Sequence, residues 1–174
     1  GFFRMNFDPA TEKFQLNTEK QFSAYLCTGI LNDKENHLWV ATTKGLFRQN
    51  PHRAQVAVAD LAPSFEERYP NFAFDDVVVV GDRLYAASRG EAGLFVFDKH
   101  SLQLQKQVLF QNGDPRTNQI RSLAVSDAST LMVGTHGPLV FYSMVTGKDR
   151  VEVPKGWHLH EDWTSDLFKD SKGD

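Results

Sequence analysis

Leu38-Trp39-Val40-Ala41-Thr42, with Gly45-Leu46-Phe47-Arg48 shortly after it, forms a pattern that occurs three times in this chain, with two, four and one residues between its two parts. The other copies read Leu84-Tyr85-Ala86-Ala87-Ser88 with Gly93-Leu94-Phe95-Val96, and Leu131-Met132-Val133-Gly134-Thr135 with Gly137-Pro138-Leu139-Val140-Phe141. The leucines that open the copies, at positions 38, 84 and 131, are 46 and 47 residues apart. Each copy is therefore one unit of a repeat of about 45 residues.

Each repeat also contains an apolar strand upstream of its leucine and a turn cluster between the two. The upstream strands start at Ile30, Val77 and Leu123, and Asp33–Asn36 is an example of the turns. No long stretch keeps an apolar stripe at helical spacing, although residues 65–69 could form one helical turn. Short strands at regular intervals are typical of sandwiches, barrels and propellers, and only a propeller repeats its sequence with this period. The sequence therefore predicts an all-β fold with four-stranded antiparallel blades.

Both ends of the chain match parts of the repeat. Gly1-Phe2-Phe3-Arg4 resembles Gly45-Leu46-Phe47-Arg48, and residues 166–174 resemble the first strand and turn of a blade. We expect a partial blade at 1–27, blades at 28–73, 74–119 and 120–163, and the start of another blade at 164–174. Such a segment of about four blades has fifteen strands where a closed ring needs sixteen. The sequence therefore predicts a piece of a larger propeller, which could form a homodimer through its exposed edges.

Composition excludes several classes of protein. The chain has 174 residues, a formal net charge of −3 and 12% aromatic residues, so it is neither a basic nucleic-acid binder nor a disordered chain. No apolar run approaches the length of a membrane span, so we expect no direct membrane insertion of this segment. The single cysteine, Cys27, excludes an internal disulfide framework and a thiolate-rich zinc site.

The first complete repeat resembles a known family. Residues 32–48, Asn-Asp-Lys-Glu-Asn-His-Leu-Trp-Val-Ala-Thr-Thr-Lys-Gly-Leu-Phe-Arg, are similar to the two-component regulator propeller repeat. That repeat has Asp, two variable residues, Gly-Asn, Leu-Trp-Ile-Gly-Thr, then Gly-Leu and an aromatic residue. Asp170-Ser171-Lys172-Gly173-Asp174 resembles its opening and Leu131-Met132-Val133-Gly134-Thr135 its core, whereas the blade at 74–119 departs from it with Gly81-Asp82-Arg83 in the turn.

The resemblance implies a function and a location. Members of this family form the periplasmic, extracytoplasmic sensor region of inner-membrane hybrid histidine kinases, and they respond to oligosaccharides. This chain is then expected to be a ligand-sensing part of such a receptor, with the remaining blades of the same chain as partners. It is expected to have no catalytic role and no cofactor.

Loop lengths predict where a ligand could bind. The links between blades are long, and in an up-and-down blade they emerge on the same face as the loops between the second and third strands. Binding residues tend to lie on such loops, aromatic rings stack on sugars, and cations pair with carboxylates or sulfates. We therefore predict a ligand-binding rim, for an oligosaccharide that could be acidic, at Lys44, Arg68, Tyr69, Arg89, Arg116, His136, Trp157, His158 and Trp163.

Other readings of these residues stay open. The rim aromatics could pack on a neighbouring domain, which would make the chain a protein-interaction scaffold. Trp39, Tyr85 and Met132 share one repeat position and are expected in the core between blades. His158 and His160 form a single His-x-His pair, for which we predict no metal site.

Catalysis has little support in the sequence. The chain has none of the motifs of nucleophilic, phosphate-binding or metalloprotease sites. Adjacent carboxylates such as Asp75 and Asp76 are expected on opposite faces of a strand, where they cannot act together as acid and base. A propeller polysaccharide lyase or glycosidase remains the less favoured alternative, because propellers can draw catalytic groups from several blades.

Overall fold

The computed structural model describes residues 5–8, 13–16, 26–43, 45–49, 56–59, 61, 67–69, 71–156, 158 and 163–168. It contains fourteen strands within these ranges. They are β1 (Met5–Asp8), β2 (Lys13–Leu16), β3 (Cys27–Asn32), β4 (Leu38–Thr42), β5 (Gly45–Gln49), β6 (Val56–Ala59), β7 (Ala73–Val80), β8 (Arg83–Arg89), β9 (Leu94–Asp98), β10 (Leu104–Val108), β11 (Ile120–Val125), β12 (Thr130–Thr135), β13 (Leu139–Ser143) and β14 (Asp149–Glu152).

The strands pair in chain order into antiparallel sheets. The sheets β3–β6, β7–β10 and β11–β14 each have four strands, and β1 pairs with β2. Within each four-stranded sheet every strand is hydrogen-bonded to the next one along the chain. This is the up-and-down arrangement of a propeller blade, so the predicted all-β fold is confirmed.

The first strand of each sheet is its innermost strand. β7 contacts both β3 and β11, so the first strands of the three sheets lie side by side where a propeller has its central channel. Each of them has a register shift near its start, between Cys27 and Gly29, between Phe74 and Asp76, and between Ile120 and Ser122. A bulge of this kind turns one side chain out of the regular alternation of the strand.

Two hydrophobic clusters fill the spaces between neighbouring sheets. Trp39 is 1% exposed and packs with Phe74 and other residues of the β7–β10 sheet. Tyr85 is equally buried and packs with residues of the β11–β14 sheet, including Leu131. These two residues occupy the inter-sheet core as expected, whereas Met132, at the same repeat position, is half-buried.

The links contain little helix. Glu67 and Arg68 are helical, which lies within the single turn expected at residues 65–69. A 3₁₀ helix at Pro115–Asn118, which the sequence did not indicate, begins after Asp114, whose side chain accepts a hydrogen bond from the amide of Arg116. Among the residues described, no helix is long and apolar enough to cross a membrane.

Candidate functional site

The bulges of the innermost strands bring one residue of each sheet to a common place. The residues at the register shifts are Thr28 in β3, Asp75 in β7 and Arg121 in β11. Each precedes by two positions the apolar residue that starts its repeat, at 30, 77 and 123. Ser165 stands in the same relation to Leu167, which begins the next copy. Equivalent positions of four successive repeats therefore meet.

These residues line a cavity of about 410 Å³, here called the channel cavity. Its walls are formed by Thr28, Asp75, Asp76, Arg89, Arg121, Ser165 and Asp166. Arg89 ends β8, so it enters from the second strand of its sheet, next to the start of β7. Every wall residue that the structure describes is polar or charged, which suits a hydrophilic ligand.

Asp75 is the buried centre of the charges in the channel cavity. Its side chain is 6% exposed, and its Oδ1 accepts hydrogen bonds from Nε of Arg89, at 2.8 Å, and from Nη2 of the same side chain. Nη1 of Arg121 lies 3.1 Å from Oδ2 of Asp75. The two groups form an ion pair without a hydrogen bond. One carboxylate therefore holds two guanidinium groups in place, each about a third exposed.

Asp76 joins two neighbouring blades. Its Oδ1 accepts a hydrogen bond from the amide of Val77, and its Oδ2 accepts one from the amide of Leu123 in β11, both at 2.8 Å. Burial raises the pKa of this carboxyl, and the negative charges of Asp166 and Asp75 add to the increase. Both Asp75 and Asp76 line the channel cavity, so the expectation that adjacent carboxylates face opposite ways was wrong, because the bulge at Asp75 breaks the alternation.

His136 and Trp163 form an aromatic pair close to the channel cavity. Their rings are stacked with centroids 5.8 Å apart, and Trp163 is 57% exposed. The pair is held from both sides, since the amide of His136 donates to the carbonyl of Gln119 and the amide of Thr164 donates to that of Thr135, both at 3.0 Å. Burial lowers the pKa of His136, and the charges of Arg121 and Arg89 lower it further against the attraction of Asp75.

The remaining predicted rim residues have other surroundings. The guanidinium of Arg68 lies 5.4 Å from the centre of the Tyr69 ring, and Tyr69 is itself buried in the core, where its hydroxyl accepts a hydrogen bond from Gln107. Arg116 forms an ion pair with Asp114, at 2.7 Å. His158 is exposed, and Lys44, Trp157 and His160 lie outside the described residues.

Of the predicted set, Arg89 lines the channel cavity, and His136 and Trp163 stack on each other. The structure adds residues that the sequence analysis missed: Thr28, Asp75, Asp76, Arg121, Ser165 and Asp166. The sequence does contain a signal for four of them. Thr28, Asp75, Arg121 and Ser165 share one repeat position, two residues before the apolar residue of the first strand. Their side chains vary from Thr to Asp, Arg and Ser, which concealed the equivalence.

A carboxylate-rich turn elsewhere has a structural role. Ligand atoms of Asp33, Glu35 and His37 lie within 4.8 Å of one another in the link between β3 and β4. Asp33 accepts hydrogen bonds from the amides of Glu35 and His37, and Glu35 pairs with Lys99 of the next sheet at 2.7 Å. These contacts stabilise the turn and join two blades.

Comparisons with known proteins place this architecture among solved structures. No family model and no curated protein matches the sequence. The extracellular domain of a protein described as a hybrid two component system from B. thetaiotaomicron is similar over 97% of this chain and 22% of its own, with a TM-score of 0.71 and 17% identity.

Two further structures are similar. A second such extracellular domain from B. thetaiotaomicron matches 79% of this chain and 20% of its own, with a TM-score of 0.58 and 21% identity. The virginiamycin B lyase of Staphylococcus aureus matches 75% of this chain and 42% of its own, with a TM-score of 0.60 and 10% identity. This chain spans about a fifth of the length of the two extracellular domains. Together with the three antiparallel sheets, these matches show that the chain has the β-propeller fold.

Proposed function

We propose that this chain is a ligand-sensing, non-catalytic part of the extracytoplasmic propeller region of a two-component signal-transduction receptor. Its ligand in this proposal is an oligosaccharide, bound at the channel cavity. The observation that carries the proposal is the convergence of equivalent residues from successive repeats, Thr28, Asp75, Arg121 and Ser165, on one polar cavity. The resemblance of residues 32–48 to the two-component regulator propeller repeat supports the receptor assignment.

The chemistry of the cavity suits a molecule with many hydroxyl groups. Arg89 and Arg121 supply N–H donors whose positions are fixed by Asp75. Asp166 and Ser165 are exposed and supply a carboxylate and a hydroxyl to the same cavity. Donors and acceptors held in fixed positions bind a polyol with little loss of side-chain entropy. The volume of about 410 Å³ lies within the range of roughly 300–1,000 Å³ of small-molecule sites.

Trp163 extends this site with an apolar surface. It lies two residues before Ser165, and its ring is supported from behind by the imidazole of His136. An exposed ring held in this way offers a flat surface to the C–H face of a sugar. We propose that one sugar unit stacks on Trp163 while the next unit occupies the channel cavity.

The charges favour a neutral oligosaccharide or one with a single acidic sugar. Arg89 and Arg121 are both paired with Asp75, and Asp76 and Asp166 add further carboxylates to the wall. A polyanion would therefore meet negative as well as positive groups. For an acidic ligand we expect affinity to fall with added salt, because exposed charges are screened over about 8 Å at physiological ionic strength.

A lyase or glycosidase role is less well supported by the same geometry. The pKa of Asp76 is raised, but both of its oxygens accept backbone amides, and the bond to Leu123 holds β7 against β11. Asp75 is occupied by two arginines. Neither carboxylate is placed to transfer a proton to or from a glycosidic oxygen.

Calorimetric titration tests the proposal. The chain is titrated with neutral and acidic oligosaccharides, and the same panel is applied to Arg89→Ala. We expect saturable binding of at least one oligosaccharide without turnover, and weaker binding by Arg89→Ala. The melting temperature of this variant is measured alongside to show that it is folded, because the buried Asp75 loses one of its partners. Cleavage of the glycan would favour the enzyme, and binding of proteins alone would favour the scaffold. No heat with any glycan would contradict the proposed ligand.

A further inference from the structure

A second cavity, of about 300 Å³, lies between two blades and is here called the lateral cavity. One wall comes from β8, β9 and β10, and the other from β13 and the turn at residues 144–147 that follows it. Arg83, which opens β8, lines this cavity, whereas Arg89, which ends β8, lines the channel cavity. The two cavities therefore lie at opposite ends of the same strand.

The lateral cavity is positively charged. Arg83 and Lys106 line it together with the phenol groups of Tyr85 and Tyr142 and the hydroxyl-bearing Thr146. Among the described residues that form its walls there is no carboxylate. In this respect it differs from the channel cavity, where every arginine has an aspartate partner.

The guanidinium of Arg83 is held in position by both blades. Its Nη1 donates a hydrogen bond to the carbonyl of Met144, at 3.2 Å, in the turn of the neighbouring sheet. A hydrogen bond with the hydroxyl of Tyr85, from its own sheet, raises the pKa of Arg83. Tyr85 is 1% exposed, so this partner is itself fixed by packing. These contacts use uncharged oxygens, and within the part of the chain that the structure describes Arg83 forms no ion pair.

Gly147 keeps space open on the other side of the cavity. A Cβ added to this residue would lie 3.2 Å from Nζ of Lys106 and 3.8 Å from the hydroxyl oxygen of Tyr142. Its φ of +72° is also one that favours glycine. The ammonium of Lys106 and the hydroxyl of Tyr142 can therefore approach the same point beside the turn.

We propose that the lateral cavity binds a small organic oxyanion, a carboxylate, sulfate or phosphate group on an apolar body. Arg83, Lys106 and Tyr142 would hold the oxygens, since charge-assisted hydrogen bonds are the strong ones for such groups. Val96 and Val145, which also line the cavity, would contact the apolar body. The ligand would bridge two blades at a place distinct from the proposed oligosaccharide site.

Titration with matched aromatic probes tests this proposal. Benzoate, phenyl sulfate and phenyl phosphate share a ring and differ in the oxyanion, and benzyl alcohol is their neutral control. Each is added to the chain at constant ionic strength, and binding is followed by calorimetry. We expect saturable binding of at least one anion and none of benzyl alcohol. Comparison of the three anions identifies which oxyanion fits the site.

Variants locate the binding. Arg83→Gln and Lys106→Gln should each weaken anion binding at least about tenfold, because each removes a charge-assisted hydrogen bond. Lys155→Gln, an exposed cation elsewhere, and Arg89→Gln, in the channel cavity, should leave it unchanged. Because Lys106 is exposed, its variant tests the site even where Arg83→Gln impairs folding. Equal losses in all four variants, equal binding of benzyl alcohol, or no saturable binding would each overturn the proposal. An Arg89→Gln variant that loses oligosaccharide binding but keeps anion binding would support two separate sites.

Discussion

At the scale of single residues, buried carboxylates organise both the turns and the channel cavity. Asp33 is 4% exposed in its side chain and accepts a 2.9 Å hydrogen bond from Nε1 of Trp39 as well as two backbone amides. It therefore couples the turn after β3 to the residue that fills the space between two blades. Asp75 has a comparable role for Arg89 and Arg121.

Replacing Asp33 tests this coupling. Asp33→Ala should lower the free energy of unfolding by about 2 kcal/mol, because the buried Nε1 of Trp39 loses its partner. Asp127→Ala, in the corresponding turn of a later sheet, should have a smaller effect, since Asp127 bonds only within its own exposed turn. Urea unfolding monitored by tryptophan fluorescence measures both. Equal losses in the two variants would show that the bond to Trp39 contributes nothing.

The lowered pKa of Asp33 leads us to predict that the stability of the fold depends on pH in the acid range. Burial alone would raise its pKa, but the hydrogen bonds from Trp39 and His37 outweigh burial and lower the pKa below 3.8. A carboxyl whose pKa is lower in the folded state stabilises the fold above pH 3.8, and this stability is lost as the pH falls through the folded value. The difference in unfolding free energy between the parent and Asp33→Ala should therefore shrink below pH 3.8. A constant difference over the acid range would contradict this.

His136 gives a second pH dependence in another window. Its pKa is lowered from 6.5 by burial and by Arg121 and Arg89, so the folded state binds fewer protons than the unfolded state. The stability contributed by the neutral imidazole is complete above pH 6.5 and is lost as the pH falls below it. Between about pH 7.5 and 5.5, the free energy of unfolding measured with denaturant should fall less for His136→Gln than for the parent. His100→Gln, at an exposed position, should behave as the parent does.

At the scale of elements, the blade could be predicted and the bulge could not. Leu38, Leu84 and Leu131 gave the period, and the apolar runs beside them gave the strands, because side-chain burial follows the alternation of a strand. The bulges at Thr28, Asp75 and Arg121 depend on how neighbouring inner strands fit together, and one strand does not encode that fit locally. The channel cavity could not be predicted for this reason, although the predicted rim includes Arg89, which lines it.

Packing between blades predicts a large effect at Trp39. Trp39→Ala should destabilise the chain by about 3–5 kcal/mol, because the variant leaves a cavity among residues of two sheets. Met132→Ala is the matched control, since it changes the same repeat position where the side chain is only half-buried, and its cost should be clearly smaller. Thermal and urea unfolding measure both. A melting temperature for Trp39→Ala within a degree or two of the parent's would contradict the core assignment.

Replacing Gly134 tests the contact between β12 and Thr164, which lies near the start of the next repeat. A Cβ at this position would lie 2.4 Å from Oγ of Ser122 and 2.5 Å from Cγ2 of Thr164, both too close for a stable contact. Gly134→Ala should therefore cost about 1–3 kcal/mol in unfolding free energy. Gly137→Ala is the control, because its nearest contacts are 3.3 and 3.4 Å away and need only a slight adjustment. If both variants unfold alike, Thr164 does not pack on β12 as described.

At the scale of the whole molecule, repetition brings polar groups of several blades to one cavity, which is the proposed oligosaccharide site. The first strands of successive blades carry different side chains at the same repeat position, and these side chains line one cavity. The cavity therefore contains carboxylate, guanidinium and hydroxyl groups. Cations on the links between the sheets are held differently. Arg116 is paired with Asp114 within its own link, and Arg68 lies over Tyr69. We therefore propose that the ligand is recognised at the bulges of the innermost strands and not on the links between the sheets.

Comparison of Arg121, which lines the channel cavity, with Arg116, which lies on a link between two sheets, tests that proposal most directly. The oligosaccharide that binds the parent most tightly is titrated against Arg121→Gln and Arg116→Gln, with melting temperatures measured alongside. Arg121→Gln should weaken binding by about tenfold or more, because it removes a charged donor fixed in the channel cavity. Arg116→Gln should leave the affinity within about twofold of the parent's, because its charge is already paired with Asp114. Unchanged affinity in a folded Arg121→Gln, together with a loss of affinity in Arg116→Gln, would contradict this prediction. Ligand recognition would then be assigned to the links between the sheets.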